Sequence, residues 1–173
     1  MTSPAARRAS GFTLIEIIVS LVLLGILAAT VFGFMGQAVR GFFLARDAME
    51  LTQKAQVALN KMRIELTYLQ KTPAPTGTAT SLSYTAIISG GTENNTIAYD
   101  AGGDRITWNG VTLIDDVGGL TFAYYDGPDD ASPSSSFDSS TTNLIGITLV
   151  MLDSDGNTAT FTTRLAIGKL DVP

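Results

Sequence analysis

At 173 residues the chain has room for one or two modest domains. Hydrophobic residues make up 45% and charged residues only 16%, below the ~25% charge of an ordinary soluble domain. The absence of His and Cys excludes a Ser-His-Asp triad, a Cys-His pair, a His/Cys zinc site and any disulfide. With a net charge of −5, no nucleic-acid partner is expected. The charge is unevenly spread. Residues 1–11 carry Arg7 and Arg8 and no acid; residues 12–71 carry six bases against four acids; residues 72–173 carry three bases against twelve acids. A basic leader, a mildly basic middle and an acidic remainder follow one another as three physical regions.

From Phe12 to Gly36 the sequence is apolar apart from one ionisable residue, Glu16. A helix of that length, at ~1.5 Å per residue, covers the ~30 Å hydrocarbon core of a bilayer. Arg7 and Arg8 precede it and Arg40 is the first charge after Glu16, so both flanks are basic. The two arginines near the start favour an N-terminus inside and the remainder outside. A secretory signal peptide would have a shorter apolar core, about 7–15 residues, before its cleavage site. A plain membrane anchor leaves Glu16 unexplained. A carboxylate in a membrane helix costs up to ~3 kcal/mol at the centre, less near the end, and by default marks a function.

The run Arg8-Ala9-Ser10-Gly11-Phe12-Thr13-Leu14-Ile15-Glu16 resembles the prepilin signature of the type IV pilin and type II secretion pseudopilin superfamily. That signature is a short basic leader ending in Gly, then Phe-Thr-Leu-x-Glu opening a long apolar helix. The resemblance implies that a membrane prepilin peptidase on the cytoplasmic side cuts between Gly11 and Phe12. It also implies that Phe12 is then N-methylated and that Glu16 is the charge retained for filament assembly. The residues suit these roles. Gly11 lets an extended backbone enter a protease cleft without a side-chain clash. The new amine at Phe12 could pair with Glu16 of a neighbouring helix offset by about one turn, so that a costly lone charge sets register.

Beyond Gly36 the pattern remains helical. Leu44, Ala48, Leu51, Ala55, Leu59, Met62, Leu66 and Leu69 recur at spacings of three and four, one apolar stripe with polar residues such as Lys61 expected opposite. Arg46–Glu50, Glu50–Lys54 and Lys61–Glu65 are spacing-four charge pairs. Thr72-Pro73 and Pro75-Thr76-Gly77 end the helix. The boundaries expected are a leader at 1–11, a transmembrane half at 12–36, an extramembrane amphipathic half at 37–72 and a β-rich head at 73–173.

In the head, strands are expected at 81–89, 96–99, 105–108, 111–114, 120–125, 145–152 and 158–167. Asp100–Asp104, Asn109-Gly110 and Asp153–Asn157 read as hairpin turns. The fold class is therefore α+β: a long N-terminal helix, its first half membrane-spanning, packed on a mostly antiparallel β-sheet head, as in pilins. The strand order, with the segments VGGLTFAYYD and IGITLVMLDSDG, is similar to J-type minor pseudopilins and W-type minor pilins, the short length favouring the J-type.

Little chemistry is expected of the head. Asp153-x-Asp155-Gly-Asn157 resembles the opening of a calcium loop but lacks the distal Glu, so a hairpin turn held by Asx side chains is expected. Asp115-Asp116 and Asp129-Asp130 are neighbours that point apart on a strand and read as solvated loop residues. Gly102-Gly103 and Gly118-Gly119 lack the context of a phosphate loop. Trp108, Phe122, Tyr124 and Tyr125 read as core rather than a ligand platform. The expectation is a structural subunit, not an enzyme and without cofactor or metal. It is a minor pilin or pseudopilin of a type II secretion pseudopilus or type IV pilus, placed near the filament tip. The resemblance implies as partners the prepilin peptidase, other pilins or pseudopilins, an assembly-platform membrane protein and the bacterial inner membrane. The chain would be single-pass, N-terminus cytoplasmic and head periplasmic or extracellular. The alternative is a membrane-tethered periplasmic binding module outside any filament.

Overall fold

The computed structural model describes residues 12–88 and 91–167. Among the described residues one helix, α1 (Leu14–Thr67), is followed by nine strands. The chain divides into two compact units, residues up to Arg46 and residues from Asp47 onward.

In the first unit α1 is helical throughout, including Gly25, Gly33, Gly36 and Gly41. Its large apolar side chains are exposed all round, from Leu14 (78%) to Phe34 (75%). An 18-residue stretch reaches a mean hydropathy of 2.7 with no residue buried, the condition of a helix whose natural surroundings are lipid or other helices. Its hydroxyls are satisfied within the helix. Ser20 Oγ donates to the Glu16 carbonyl at 2.7 Å and Thr30 Oγ1 to the Leu27 carbonyl at 2.8 Å, so neither needs water.

In the second unit the helix buries Ala55, Ala58, Met62 and Leu66 completely, with Leu51 and Leu59 partly covered. The expected stripe is therefore right at its centre and differs at its ends. Leu44 and Ala48 are exposed, and Leu69 is buried from a strand, not from the helix. The opposite face is mixed: Met49, Val57 and Ile64 stand 67%, 64% and 59% exposed among the exposed polar side chains of Gln53, Gln56 and Asn60. Lys61, expected on a solvated side, has its ammonium 4.4 Å from the centre of the Trp108 ring and 3.5 Å from Glu65 Oε1.

The strands form two antiparallel sheets. The larger is ordered β1 (Leu69–Gln70), β3 (Ser81–Ile88), β4 (Gly91–Asp100), β5 (Arg105–Trp108) and β6 (Val111–Ile114), with β2 (Thr76–Gly77) also pairing β3. The smaller is β7 (Val117–Tyr125), β8 (Leu144–Leu152) and β9 (Thr158–Ala166). Alternation is clearest in β8, where Ile145, Ile147, Leu149 and Met151 are wholly buried. Asn109 and Gly110 have φ of 50° and 79°, the left-handed pair that a two-residue hairpin between Trp108 and Val111 requires. Asp115 and Asp116 separate the sheets, with Asp116 at φ 58°. Gly77 is obligatory for packing: a Cβ there would overlap the Tyr124 hydroxyl, which passes beneath to donate to the Thr78 carbonyl at 2.9 Å.

The Met62→Asp substitution would place an unpaired carboxylate in this core and is expected to cost about 3 kcal/mol or more. Thermal melting of the full chain in detergent should show a drop on the order of 10 °C for a head of this size. Val57→Asp should stay within about 0.5 kcal/mol of wild type. Equal losses at both positions would mean that the packed face has been misassigned.

Candidate functional site

The residues of the N-terminal motif fall partly within the described chain. Arg7, Arg8 and Gly11 lie outside the described residues. Phe12 is 80% exposed and, with Thr13, precedes the helix. The Thr13 carbonyl accepts from the N–H groups of Glu16 and Ile17 at 3.1 and 3.3 Å, which opens α1. Glu16 therefore stands in the first helical turn. A carboxylate there is favoured by the partial positive charge of the unsatisfied N–H groups. This gives Glu16 a local reason to be acidic. It supplies no counter-ion, and residues 12–39 contain no Lys or Arg.

The candidate groups of the head are separated. The Asp153 carboxylate is committed to its own turn: it accepts from the N–H of Asp155 at 3.0 Å and of Asn157 at 2.7 Å, and from Asn157 Nδ2 at 2.8 Å. The Asn157 side chain and these backbone bonds hold its pKa below the usual carboxylate range. Asp130 likewise caps its own loop, accepting from the N–H groups of Asp126 and Ser132. Phe122, Tyr124 and Tyr125 are buried in β7, while Trp108 belongs to the other sheet and donates its indole N–H to Asn95 Oδ1 at 3.3 Å. Gly118 lies against Leu152, where a Cβ would come within 3.0 Å of Cγ. Among the described residues, no group of three His, Cys, Asp or Glu side chains is placed to hold a metal ion.

The arrangement that sequence reasoning missed is centred on Lys54. Its ammonium donates to Asp115 Oδ1 at 2.8 Å and to Asp116 Oδ2 at 2.6 Å, with Glu50 Oε1 at 3.7 Å. The link between the two sheets is thereby tied to the helix. The bonds from Asp115 and Asp116 push the Lys54 pKa above its usual value, and the Lys54 bond holds Asp115 below the carboxylate range. Only the Glu50–Lys54 spacing was visible in the sequence; a contact spanning 61 residues leaves no local signal. Asp47, Glu50, Asp116 and Asp153 line an open cleft beside it.

The sequence family described as the prokaryotic N-terminal methylation motif matches residues 6–32. No curated protein matches the chain. The match supports the type IV pilin and pseudopilin superfamily, whose precursors carry this motif as the segment that prepilin peptidase processes. It covers the leader and the start of α1 and does not reach the head.

The Lys54 cluster makes a pH prediction with a definite sign. Asp115, depressed in the folded state, stabilises above the unfolded carboxylate value near ~3.9 and loses that contribution as pH falls through its lower folded value. Lys54, raised above 10.5, contributes fully below that value and loses its contribution only as pH rises beyond it. Asp115 and Asp116 are 66% and 52% exposed at their side chains, so solvent screening limits the worth of the cluster to about 1 kcal/mol. The melting-temperature difference between wild type and Lys54→Met should be flat from about pH 5 to 9 and shrink below about pH 4. A difference that grows on acidification would show that another group governs it.

Proposed function

We propose that the chain is a minor pilin or pseudopilin, a structural subunit of a type II secretion pseudopilus or type IV pilus. The observation that carries this is the two-part helix. The part bearing the methylation motif leaves its large apolar side chains exposed, whereas the part from Ala55 to Leu66 is packed into a β head. Apolar side chains presented around a whole helix suit a bilayer and then other helices of the same kind.

In this reading the peptidase cuts after Gly11 on the cytoplasmic side, Phe12 is N-methylated, and the head lies in the periplasm or outside the cell. The assembly-platform protein of the inner membrane then receives the processed subunit. Within the filament the Phe12 amine of one subunit meets Glu16 of another, and low dielectric strengthens the pair. A J-type place near the tip of a secretion pseudopilus is supported by the resemblance of the segments VGGLTFAYYD and IGITLVMLDSDG, which run through β7 and β8, to that class. The role requires no enzyme chemistry, cofactor or metal.

N-terminal mass spectrometry of protein from the native host should find a mature chain beginning at N-methylated Phe12, and Gly11→Leu should block processing. A mature start after Ala29 would instead mark a secretory signal. Glu16→Gln should leave insertion and cleavage intact, since removing a charge eases insertion. Crosslinking to other pilins should fall at least several-fold. Unchanged crosslinking and secretion would remove the assembly role. A processed protein that never crosslinks to pilins, wild type included, would indicate a tethered binding module.

A further inference from the structure

The two sheets leave several strand edges, and all but one are short or occupied. In the larger sheet β1 and β2 are two residues each and β6 is four. Residues 91–96 of β4 overhang β5, but that stretch carries Glu93, and the Thr96 N–H donates to Asn109 Oδ1 at 2.7 Å. In the smaller sheet the outer edge of β7 is taken up by loops. Phe122 donates its N–H to the Ala79 carbonyl at 2.7 Å and Val117 to the Asp104 carbonyl at 2.8 Å, while Tyr124 exchanges two bonds with Ser134 at 3.0 and 2.8 Å. The remaining strand, β9, is nine residues long and pairs β8 on one side. Among the described residues no strand pairs its other side.

The register determines which groups that edge offers. Asp153 donates its N–H to the Asn157 carbonyl at one end of the β8–β9 pairing, and Ile167 to the Asn143 carbonyl at the other. Antiparallel pairs alternate between bonded and non-bonded, so Ala159, Phe161, Thr163 and Leu165 exchange bonds with β8. Thr158, Thr160, Thr162, Arg164 and Ala166 turn their N–H and C=O groups away from it. The side chains of these five are exposed, whereas Ala159, Phe161 and Thr163 are half-buried and Leu165 is buried.

Natural edges are protected by Pro, Lys, inward-pointing charges or bulges. The sequence TATFTTRLA has neither Pro nor Lys, and it pairs β8 without a break in register. Its one charge is turned away from the edge: the Arg164 guanidinium lies 4.3 Å from the centre of the Tyr125 ring on β7. It reaches that ring across Gly146, its partner on β8, where a Cβ would come within 2.9 Å of Tyr125 Cε2. The edge is therefore long, unprotected and rich in residues that favour strands.

We propose that β9 is a strand-addition edge, on which an extended segment from the head of another pilin-like subunit pairs main chain to main chain. The incoming segment places small or hydroxyl side chains beside Thr160 and Thr162 and apolar ones beside Phe161. This rests on the reading of the chain as a filament subunit. A lone two-stranded contact is marginal in water, so the incoming segment must be held nearby at high effective concentration. Subunits whose apolar helices pack together supply that; a free secreted polypeptide does not. A second copy is the wrong occupant. Antiparallel pairing of two β9 edges turns one head by half a turn about the sheet normal, which reverses the head half of α1 lying on that sheet. Chains anchored in one bilayer run the same way.

The test places a photo-crosslinking residue in the full-length chain in its native host, at Thr160 on β9 or at Val31, which is 60% exposed on α1. The Thr160 reporter should give adducts with a different chain that carries an N-terminal methylation motif, identified by mass spectrometry. Thr162→Pro removes one outward N–H and leaves the bonds to β8 in place; Thr162→Lys keeps the whole backbone and adds a protecting charge. Each should lower the Thr160 adducts by about fivefold or more, with melting and the Val31 adducts unchanged. Absence of pilin adducts at Thr160 while Val31 forms them would overturn the edge and leave the subunit reading standing. Absence at both positions would overturn both. Thr160 adducts with a second copy, with a secreted polypeptide or within the same chain would also overturn the proposal, as would pilin adducts that neither substitution reduces.

Discussion

The head depends on the burial of one short helical face against a sheet. Ala55 and Ala58 bring no bulk, so the helix axis approaches the strands closely, and Met62 and Leu66 fill what remains. They meet Leu82, Tyr84 and Ile97 from the larger sheet and Phe122, Ile145 and Ile147 from the smaller, in one apolar cluster. Neither sheet could bury its inner face without that helix, since three or six strands exposed on an apolar side do not stand alone in water. The helix in turn has no apolar cluster to join without the sheets. The cores of helix, larger sheet and smaller sheet are therefore one core.

A helix that must also cross a bilayer cannot use one pattern throughout. In lipid, association comes from close packing and from satisfied polar groups, not from sorting apolar residues to one side. Uniform exposure of apolar side chains up to Phe43 and self-bonded hydroxyls at Ser20 and Thr30 fit that solvent. Past Asp47 the solvent is water on one side and protein on the other. The pattern becomes a stripe, and charges find partners, as Lys54 does.

Much of this could be read from the residues. The period of three and four placed Ala55, Met62 and Leu66 inward because a helix repeats its face at that spacing. Asn109-Gly110 and Asp153–Asn157 fixed two hairpins because their backbone angles admit few other residues. The failures have equally physical causes. Leu69–Gln70 and Thr76–Gly77 are strands only because β3 has a free edge to pair with, and so short a pairing leaves no periodicity. Residues 91–95 extend β4 although their sequence, GTENN, is polar; backbone pairing with β3 holds them. The division into two sheets turns on Asp115-Asp116, whose adjacent carboxylates looked like loop solvation. Their role appears only when Lys54, distant in sequence, is brought between them.

The two charged positions Lys54 and Glu16 show how the same helix treats charge in its two settings. Lys54 sits in the water-facing unit, and the chain folds two carboxylates onto it within hydrogen-bond range. Glu16 sits in the apolar unit, in a stretch from Phe12 to Val39 that holds no basic residue. The helix N-terminus eases its charge by at most the partial charge of a few N–H groups, which falls short of a full counter-ion in a low dielectric. The basic leader is the nearest source of cations in the precursor. In the proposed maturation that leader is lost, and the same cut creates an amine at Phe12. Phe12 lies outside the helix, before its first turn, so its amine is not held on the face of its own Glu16 by helical spacing. In the proposed filament it would reach another chain's carboxylate. Removal of Arg7 and Arg8 and creation of the Phe12 amine are one event. On this reading processing creates the amine that can meet Glu16 of a second subunit, which is why cleavage would precede assembly rather than merely accompany it.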